Sequence, residues 1–410
     1  MKKPILIIGT FDTKSEELQF LRDQISARGH LSRTLDTGVL APSPASADIT
    51  NENIAEAGGR SLGELVSRGD RGEAVAVMAQ GAAKITRMLF DKGEISGVIS
   101  LGGGSGTAIG AGTMRTLPVG FPKLMVSSMA SGNVRTYVGT SDITMMPSVV
   151  DISGLNRISR RILRNAALAI CGMVEGNEEE ASTGRPVIAA TMFGVTTPCV
   201  TKAKRLLEEH GYEVLVFHAN GPGGMAMEQL IGDGVIAAVL DITTTELPDE
   251  LCGGKGSAGP RRLERAGEMG LPQIVVPGAM DMVNYFPDAV PAPFRGRLLY
   301  THNPATTLMR TNEEENARLG EIMASKLSKA KGPAAVYIPL GGFSAVDAPG
   351  KPFHHPAANA AFIRTLKANL PSSIPVVEKA VHINDPAFAA VLVNGLLDMI
   401  KAHNKRREDK

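Results

Sequence analysis

Short apolar runs alternating with amphipathic helical stretches limit the fold of this chain more than any other feature. Residues 4–9, PILIIG, form a continuous isoleucine-rich run between Pro4 and Gly9. Such a run suits a strand covered on both faces, as in a parallel sheet. The next stretch, TKSEELQFLRDQISARG, places Leu18, Leu21 and Ile25 on one helical face. Thr13 and Glu16 have the spacing of a capping box, and Gly29 stands where a helix-terminating glycine belongs. Strand, polar turn and helix make the first half of a βα unit. The same reading predicts helices at AVAVMAQGAAKITRMLFDKG and SGLNRISRRILRNAALAICGMV, and strands at ISGVISLGGG and FPKLMVSSMA.

Residues 176–186, GNEEEASTGRP, are small, acidic and polar, and read as a linker. The pattern then restarts with apolar runs at PVIAATMFG, YEVLVFHA, VIAAVLDIT, PQIVVPGA, RLLYTHN, PAAVYIPLGG and IPVVEKAVHIND, separated by helical stretches. Strands alternating with helices imply parallel sheets with right-handed crossovers. The expectation is an α/β chain of two tandem Rossmann-like, doubly wound domains with mostly parallel sheets, at 1–178 and 185–410. A length of 410 residues suits about two cores.

Composition narrows the partners. The formal net charge is +1, aromatic residues make up 4% and Trp is absent, so no nucleic-acid partner is expected. Cys171, Cys199 and Cys252 are too few and too scattered for a disulfide framework or a metal site. The N-terminus lacks the long apolar stretch of a signal peptide, and no run of about 18 apolar residues exists. A cytoplasmic protein with no membrane partner is expected.

ISLGGGSGTAIG, residues 99–110, places four glycines within five positions at a strand end. Gly103, Gly104, Ser105, Gly106 and Thr107 are candidate anion ligands, because backbone N–H groups at a helix start face an anion and the hydroxyls add donors. A tight turn without ligand is the plainer alternative. The dinucleotide fingerprint fails in register, since Ile109 stands at the third glycine, and no Gly-Lys-Ser/Thr follows for a P-loop. In GTFDTK, Lys14 could meet a phosphate and Asp12 a ribose hydroxyl or the water of a Mg2+ ion, with Thr13 either a ligand or a cap. Ser131 and Gly132, in SSMASGN, could complete the pocket.

In the second domain, polar residues end one apolar run after another. Asp241, Glu246, Asp281, Asn284, His302, Asn303, His382 and Asp385 are expected to share one rim. His302, His382, Asp241 and Asp281 are the catalytic candidates, with histidine as general acid or base near neutral pH. The Thr243–Thr245 loop would hold oxyanions. Any one of these histidines also fits a hydrogen-bonded structural role. No ligand spacing supports a metal, and His354 and His355 read as surface. Met145, Met146, Val149 and Val150 suit either an oligomer interface or a core strand.

GTFDTK, SLGGGSGT, MVSSMASGNVRTYVGTSDITMMPSVVDISGLNRISRRIL, TTTELPDELCGG, PGAMDMVNYFP, LYTHNP and HINDPAFA together resemble the bacterial family of tobamovirus-resistance-like ATP-binding proteins along essentially the whole chain. That resemblance implies two Rossmann-like domains, a homo-oligomer, and ATP in the first domain at Asp12–Lys14 and Gly103–Thr107. It brings no reaction with it. The expected function is ATP binding, with Mg2+ as companion ion, in a metabolic enzyme that takes a small polar or carboxylated substrate in a cleft between its domains. The alternative is a non-catalytic regulatory protein whose conformation or oligomer is set by the nucleotide.

Overall fold

The computed structural model describes residues 3–44, 47–176 and 184–408. The linker read at 176–186 lies largely outside them. The chain divides into two compact units, Met1–Ser182 and Thr183–Lys410.

The first unit runs β1 (Ile5–Gly9), α1 (Phe11–Ala27), β2 (Ser32–Asp36), α2 (Asn51–Ala57), α3 (Leu62–Arg68), α4 (Arg71–Asp91), β3 (Gly97–Gly102), α5 (Gly104–Met114), β4 (Lys123–Ser127), α6 (Arg135–Val138), β5 (Thr144–Pro147) and α7 (Arg157–Glu175). Its sheet is wholly parallel in the order β2-β1-β3-β4-β5. The apolar run of β1 is explained by burial on both faces. Ile5 and Ile7 pack with Leu18, Leu21 and Ile25 of α1 and Leu163 and Ile170 of α7. Leu6 and Ile8 face the other way, toward Ile54 of α2, Met78 and Ala82 of α4 and Met114 of α5. The capping box expected at Thr13 and Glu16 does not form. α1 starts earlier, after Thr10, and Lys14 breaks its helical dihedrals at φ −132°, ψ 21°.

The second unit runs β6 (Val187–Met192), α8 (Thr197–Glu209), β7 (Glu213–His218), α9 (Pro222–Gly232), β8 (Ala238–Thr243), α10 (Glu246–Cys252), α11 (Arg265–Glu268), β9 (Gln273–Gly278), β10 (Met282–Tyr285), β11 (Leu299–Asn303), β12 (Thr306–Arg310), α12 (Glu313–Leu327), β13 (Ala334–Pro339), α13 (Pro356–Asn369), β14 (Val376–Lys379) and α14 (Pro386–Glu408). Six strands form a parallel sheet in the order β14-β13-β9-β8-β6-β7. β10, β12 and β11 form a separate antiparallel sheet. Both units are therefore Rossmann-like α/β folds in tandem, with one antiparallel insertion. RLLYTHN is not a strand of the parallel sheet. It supplies β11, an outer strand exposed from Tyr300 to Asn303.

Candidate functional site

In an open parallel sheet, a crevice opens at the strands' carboxyl ends where successive connections leave by opposite faces. In the first unit that point lies between β1 and β3. The chain leaves β1 into α1 on one face and leaves β3 into α5 on the other. A cavity of about 630 Å³ opens there. Its walls are Thr10, Asp12, Thr13 and Lys14 after β1, Thr37–Leu40 after β2, Gly102–Gly106 after β3, part of α3 and α4, and Asp151.

The glycine loop forms the head of this cavity. Gly103 is the N-cap of α5, so no side chain caps the helix's first N–H groups. None of Gly102, Gly103, Gly104 and Gly106 has a left-handed backbone. Gly102 is required by packing, because a Cβ there would lie 2.8 Å from the Gly106 Cα. At Gly103 and Gly106 a Cβ would meet nothing closer than 3.6 and 3.5 Å, and at Gly104 nothing within 4 Å. Packing thus requires a glycine at none of these three positions; Gly104 faces open space, and Gly103 and Gly106 would take a Cβ in ordinary contact, all beside uncapped amides. Ser105 Oγ accepts from Arg71 Nη2 at 3.2 Å. Thr107 points away: its hydroxyl is buried against Ser127 Oγ at 2.6 Å and ties α5 to β4.

Asp36 organises the opposite wall, and no sequence signal singled it out. Fully buried at the end of β2, its Oδ1 accepts from the N–H groups of Phe11 (3.0 Å) and Gly38 (2.8 Å), and its Oδ2 from Ser43 Oγ (2.6 Å). Asp12 Oδ2 accepts from Leu40 N at 2.9 Å. A Cβ at Gly38 would lie 2.5 Å from the Asp12 carboxylate, so glycine is needed for this close approach. Lys14 Nζ donates to Ile152 O, which leaves two ammonium protons for other acceptors. Asp70 caps α4 through the N–H groups of Gly72 and Glu73. That cap aims Arg71 at the glycine loop, a contact the sequence reading missed. Ser131 and Gly132 are exposed and lie outside the cavity lining.

The second-unit candidates are placed differently from the expected single rim. Asp241 is buried within β8 and pairs with Arg262 through two bonds, Nη1 to Oδ2 at 2.6 Å and Nη2 to Oδ1 at 2.8 Å, while Thr191 Oγ1 donates to Oδ1 at 2.7 Å. Arg262 Nε also donates to Glu246 Oε2 at 2.5 Å. Burial opposes the Arg262 charge, but Asp241 and Glu246 outweigh it and raise its pKa. Burial raises the pKa of Glu246, against the pull of Arg262. Arg262 Nη1 also lies 3.5 Å from Glu228 Oε1, and both residues line a cavity of about 410 Å³ beside α9. Between β6 and β8, Thr196 and Thr243 are joined hydroxyl to hydroxyl at 2.7 Å. The Thr243–Thr245 segment is buried rather than open to an oxyanion.

Asp281 is fully buried beyond β9. Its Oδ2 accepts from Ser344 Oγ at 2.7 Å, and its Oδ1 has no hydrogen-bond partner among the described residues. Burial, and then the Asp347 carboxylate, push its pKa up to about 7. His382 Nε2 donates to Ser344 O at 2.9 Å, and its Nδ1 accepts from Asn384 N at 3.1 Å, so both ring nitrogens are engaged. Asp281 and His382 therefore flank one residue, Ser344. His302 is exposed on β11 in the antiparallel insertion, not on the rim of the parallel sheet. Among the described residues, no group of three or more His, Cys, Asp or Glu is placed to hold a metal, and no helix is long and apolar enough to cross a membrane.

Fold and cavity together define the class: a tandem pair of Rossmann-like units, the first with a glycine-lined crevice at its switch point. The chain belongs to the uncharacterised protein family UPF0261, whose N-terminal domain matches residues 3–179 and whose C-terminal domain matches residues 185–400. It is 49% identical to a UPF0261 protein of Clostridium tetani over 98% of this chain and 100% of that one. It is 44% identical to a UPF0261 protein of Rhizobium meliloti over 97% and 99% of the two chains. It is also 37% identical to the ToMV resistance protein Tm-1 of Solanum lycopersicum, covering 96% of this chain and 55% of the tomato protein.

Proposed function

We propose that this chain is an ATP-binding protein whose nucleotide site is the cavity of the first unit. The observation that carries the proposal is the glycine loop, where the fold requires a glycine at none of Gly103, Gly104 and Gly106, Gly104 faces open space, and the helix start is uncapped. Phosphates would take the free N–H groups of α5 and the charges of Lys14 and Arg71. Asp12 uses Oδ2 for Leu40 N, which leaves Oδ1 for a ribose hydroxyl or for the water of a Mg2+ ion. Val39, Leu40, Val75, Met78 and Ile109 give the cavity an apolar wall suited to a base.

Of the two functional readings, the non-catalytic one has more support. The two-bond pairing of Asp241 with Arg262 and the exposed position of His302 leave a catalytic rim in the second unit with less support. Nucleotide would then set a conformation or an assembly.

Thermal unfolding with and without ATP and Mg2+ tests the site. ATP should raise the midpoint of the wild-type chain. Gly104→Val should leave the midpoint without ligand within a degree or two, because its side chain meets open space, and should abolish the ATP-induced rise. An ATP-induced rise that persists undiminished in the folded variant removes the loop from the site.

A further inference from the structure

The start of α7 violates two local rules at once. Arg157, Arg160, Arg161 and Arg164 all lie within its first eight residues, and its first turn holds no acidic residue. The helix dipole disfavours cations at that end. Arg157 and Arg161, like Arg160 and Arg164, are like charges four residues apart, which repel on a helix surface. All four are exposed. Among the described residues, no carboxylate forms an ion pair with any of them. Arg164 Nε donates to the neutral Gln24 Oε1 at 3.0 Å, and the Arg160 guanidinium lies 5.3 Å from the Phe20 ring centroid. These contacts with α1 steady two of the guanidiniums without neutralising them.

A helix that keeps unfavourable charges without an internal counterion is suited to an external one. We infer that this face of α7 docks an acidic, partly apolar helix of a partner protein. Arginine, and not lysine, stands at all four positions, and its planar fork donates to carboxylates two bonds at a time. Exposed Ile158 and Leu168, at 38% and 44%, flank the arginines, and arginine beside apolar side chains is the composition of protein interfaces. The stripe from Arg157 to Arg164 rises only about 10 Å along the helix. That is too short for the several phosphate contacts of a nucleic-acid track, and the net charge of +1 adds no wider basic field. A second copy docked by the same face about a two-fold axis would set arginine against arginine.

The test uses the full chain and a fluorescein-labelled helical peptide with glutamates four residues apart and two leucines on the same face. Fluorescence anisotropy should show binding that weakens as salt rises from about 50 to about 200 mM, and that fails for the peptide with glutamine in place of glutamate. The variant carrying Arg157→Glu and Arg161→Glu should bind at least about tenfold more weakly. Its unfolding midpoint should be equal to or above that of the wild type, since the change removes repulsion and places acid at the helix start. Failure of the glutamate peptide to bind, or equal binding by the variant, overturns the inference. Tighter binding of a short oligouridine RNA overturns it in favour of a phosphate site, and a clearly lowered midpoint overturns the argument that the arginines are held against local stability.

Discussion

Asp281 shows how a residue's type can be read from sequence while its environment cannot. An aspartate after an apolar run is visible in PGAMDMVN. Its complete burial, its bond to Ser344 and its unpartnered Oδ1 depend on a loop more than 60 residues away. Its pKa rises from the ordinary 3.8 to about 7, first through burial and then through Asp347. The native chain therefore holds a proton there between those values that the unfolded chain has lost. This contribution to stability is full below about pH 4 and is lost as pH rises through 7, at about 1.4 kcal/mol per pH unit. Asp281→Asn keeps an acceptor for Ser344 and removes the titration. Urea midpoints of wild type and variant should converge or cross between pH 5 and pH 8, the wild type losing more. Parallel curves across that range would show that Asp281 is ionised throughout. The same gap between type and environment separates Asp241 from its expected role. The sequence displays the carboxylate, but not Arg262, which lies 21 positions further on and takes both its oxygens. Conversely, Lys14 and the glycines could be placed at strand ends from sequence, because each directly follows an apolar strand, β1 or β3.

At the scale of elements, β1, β3, β4, β6, β8, β9 and β13 were readable because each is a compact, largely apolar run that is buried along most of its length, whereas β2, with the sequence SRTLD, carries no such run and went unread. The antiparallel insertion was not readable, because β11 and β12 are joined by a short turn and β11 is exposed, so RLLYTHN carries an apolar start without a buried strand. The small helices α2 and α3 were missed for a related reason: they are capped by Thr50 and Ser61 but bury few side chains. β5 is a different case, since both readings offered for it have structural content. Met145 and Met146 pair with β4 and are half-buried. Val149, just beyond, is 72% exposed with φ +66°. Val150 N bonds back to Ser148 O at 2.7 Å, which encloses Val149 in a three-residue turn. A β-branched residue in that conformation costs about 1–3 kcal/mol, and here the cost holds an apolar side chain in solvent. We propose that this outer strand and its turn are covered by a second copy of the chain. Light scattering at micromolar concentration should give more than one chain per particle, and Val149→Asp should lower that mass without lowering the unfolding midpoint by more than a degree or two. A wild-type monomer under those conditions disposes of the interface.

On the scale of the whole molecule, the two units divide the stabilising contacts between them. The first sheet is covered by α1 and α7 on one face and by α2, α4 and α5 on the other, with each core drawn from the first unit. The second unit has its own large core of β6, β8, β9, α8 and α14. Every residue lining the candidate nucleotide cavity also lies in the first unit. A unit with a complete sheet, both faces covered and its own site has what it needs to fold alone. Residues 1–182 expressed by themselves should therefore unfold in one cooperative transition and bind ATP with an affinity within about tenfold of that of the full chain. The comparison is a pair of calorimetric titrations, fragment against full chain, with Gly104→Val in each as the control. If the fragment folds but binds more than a hundredfold more weakly while the full chain binds well, the second unit supplies part of the site, and the cavity of the first unit is then only half of it. If the fragment does not fold, the first unit depends on contacts beyond its own two cores. If fragment and full chain bind alike and Gly104→Val abolishes both, the glycine loop, the Asp12–Lys14 turn and the first turn of α4 suffice, and the nucleotide acts on the rest of the molecule from a self-contained unit.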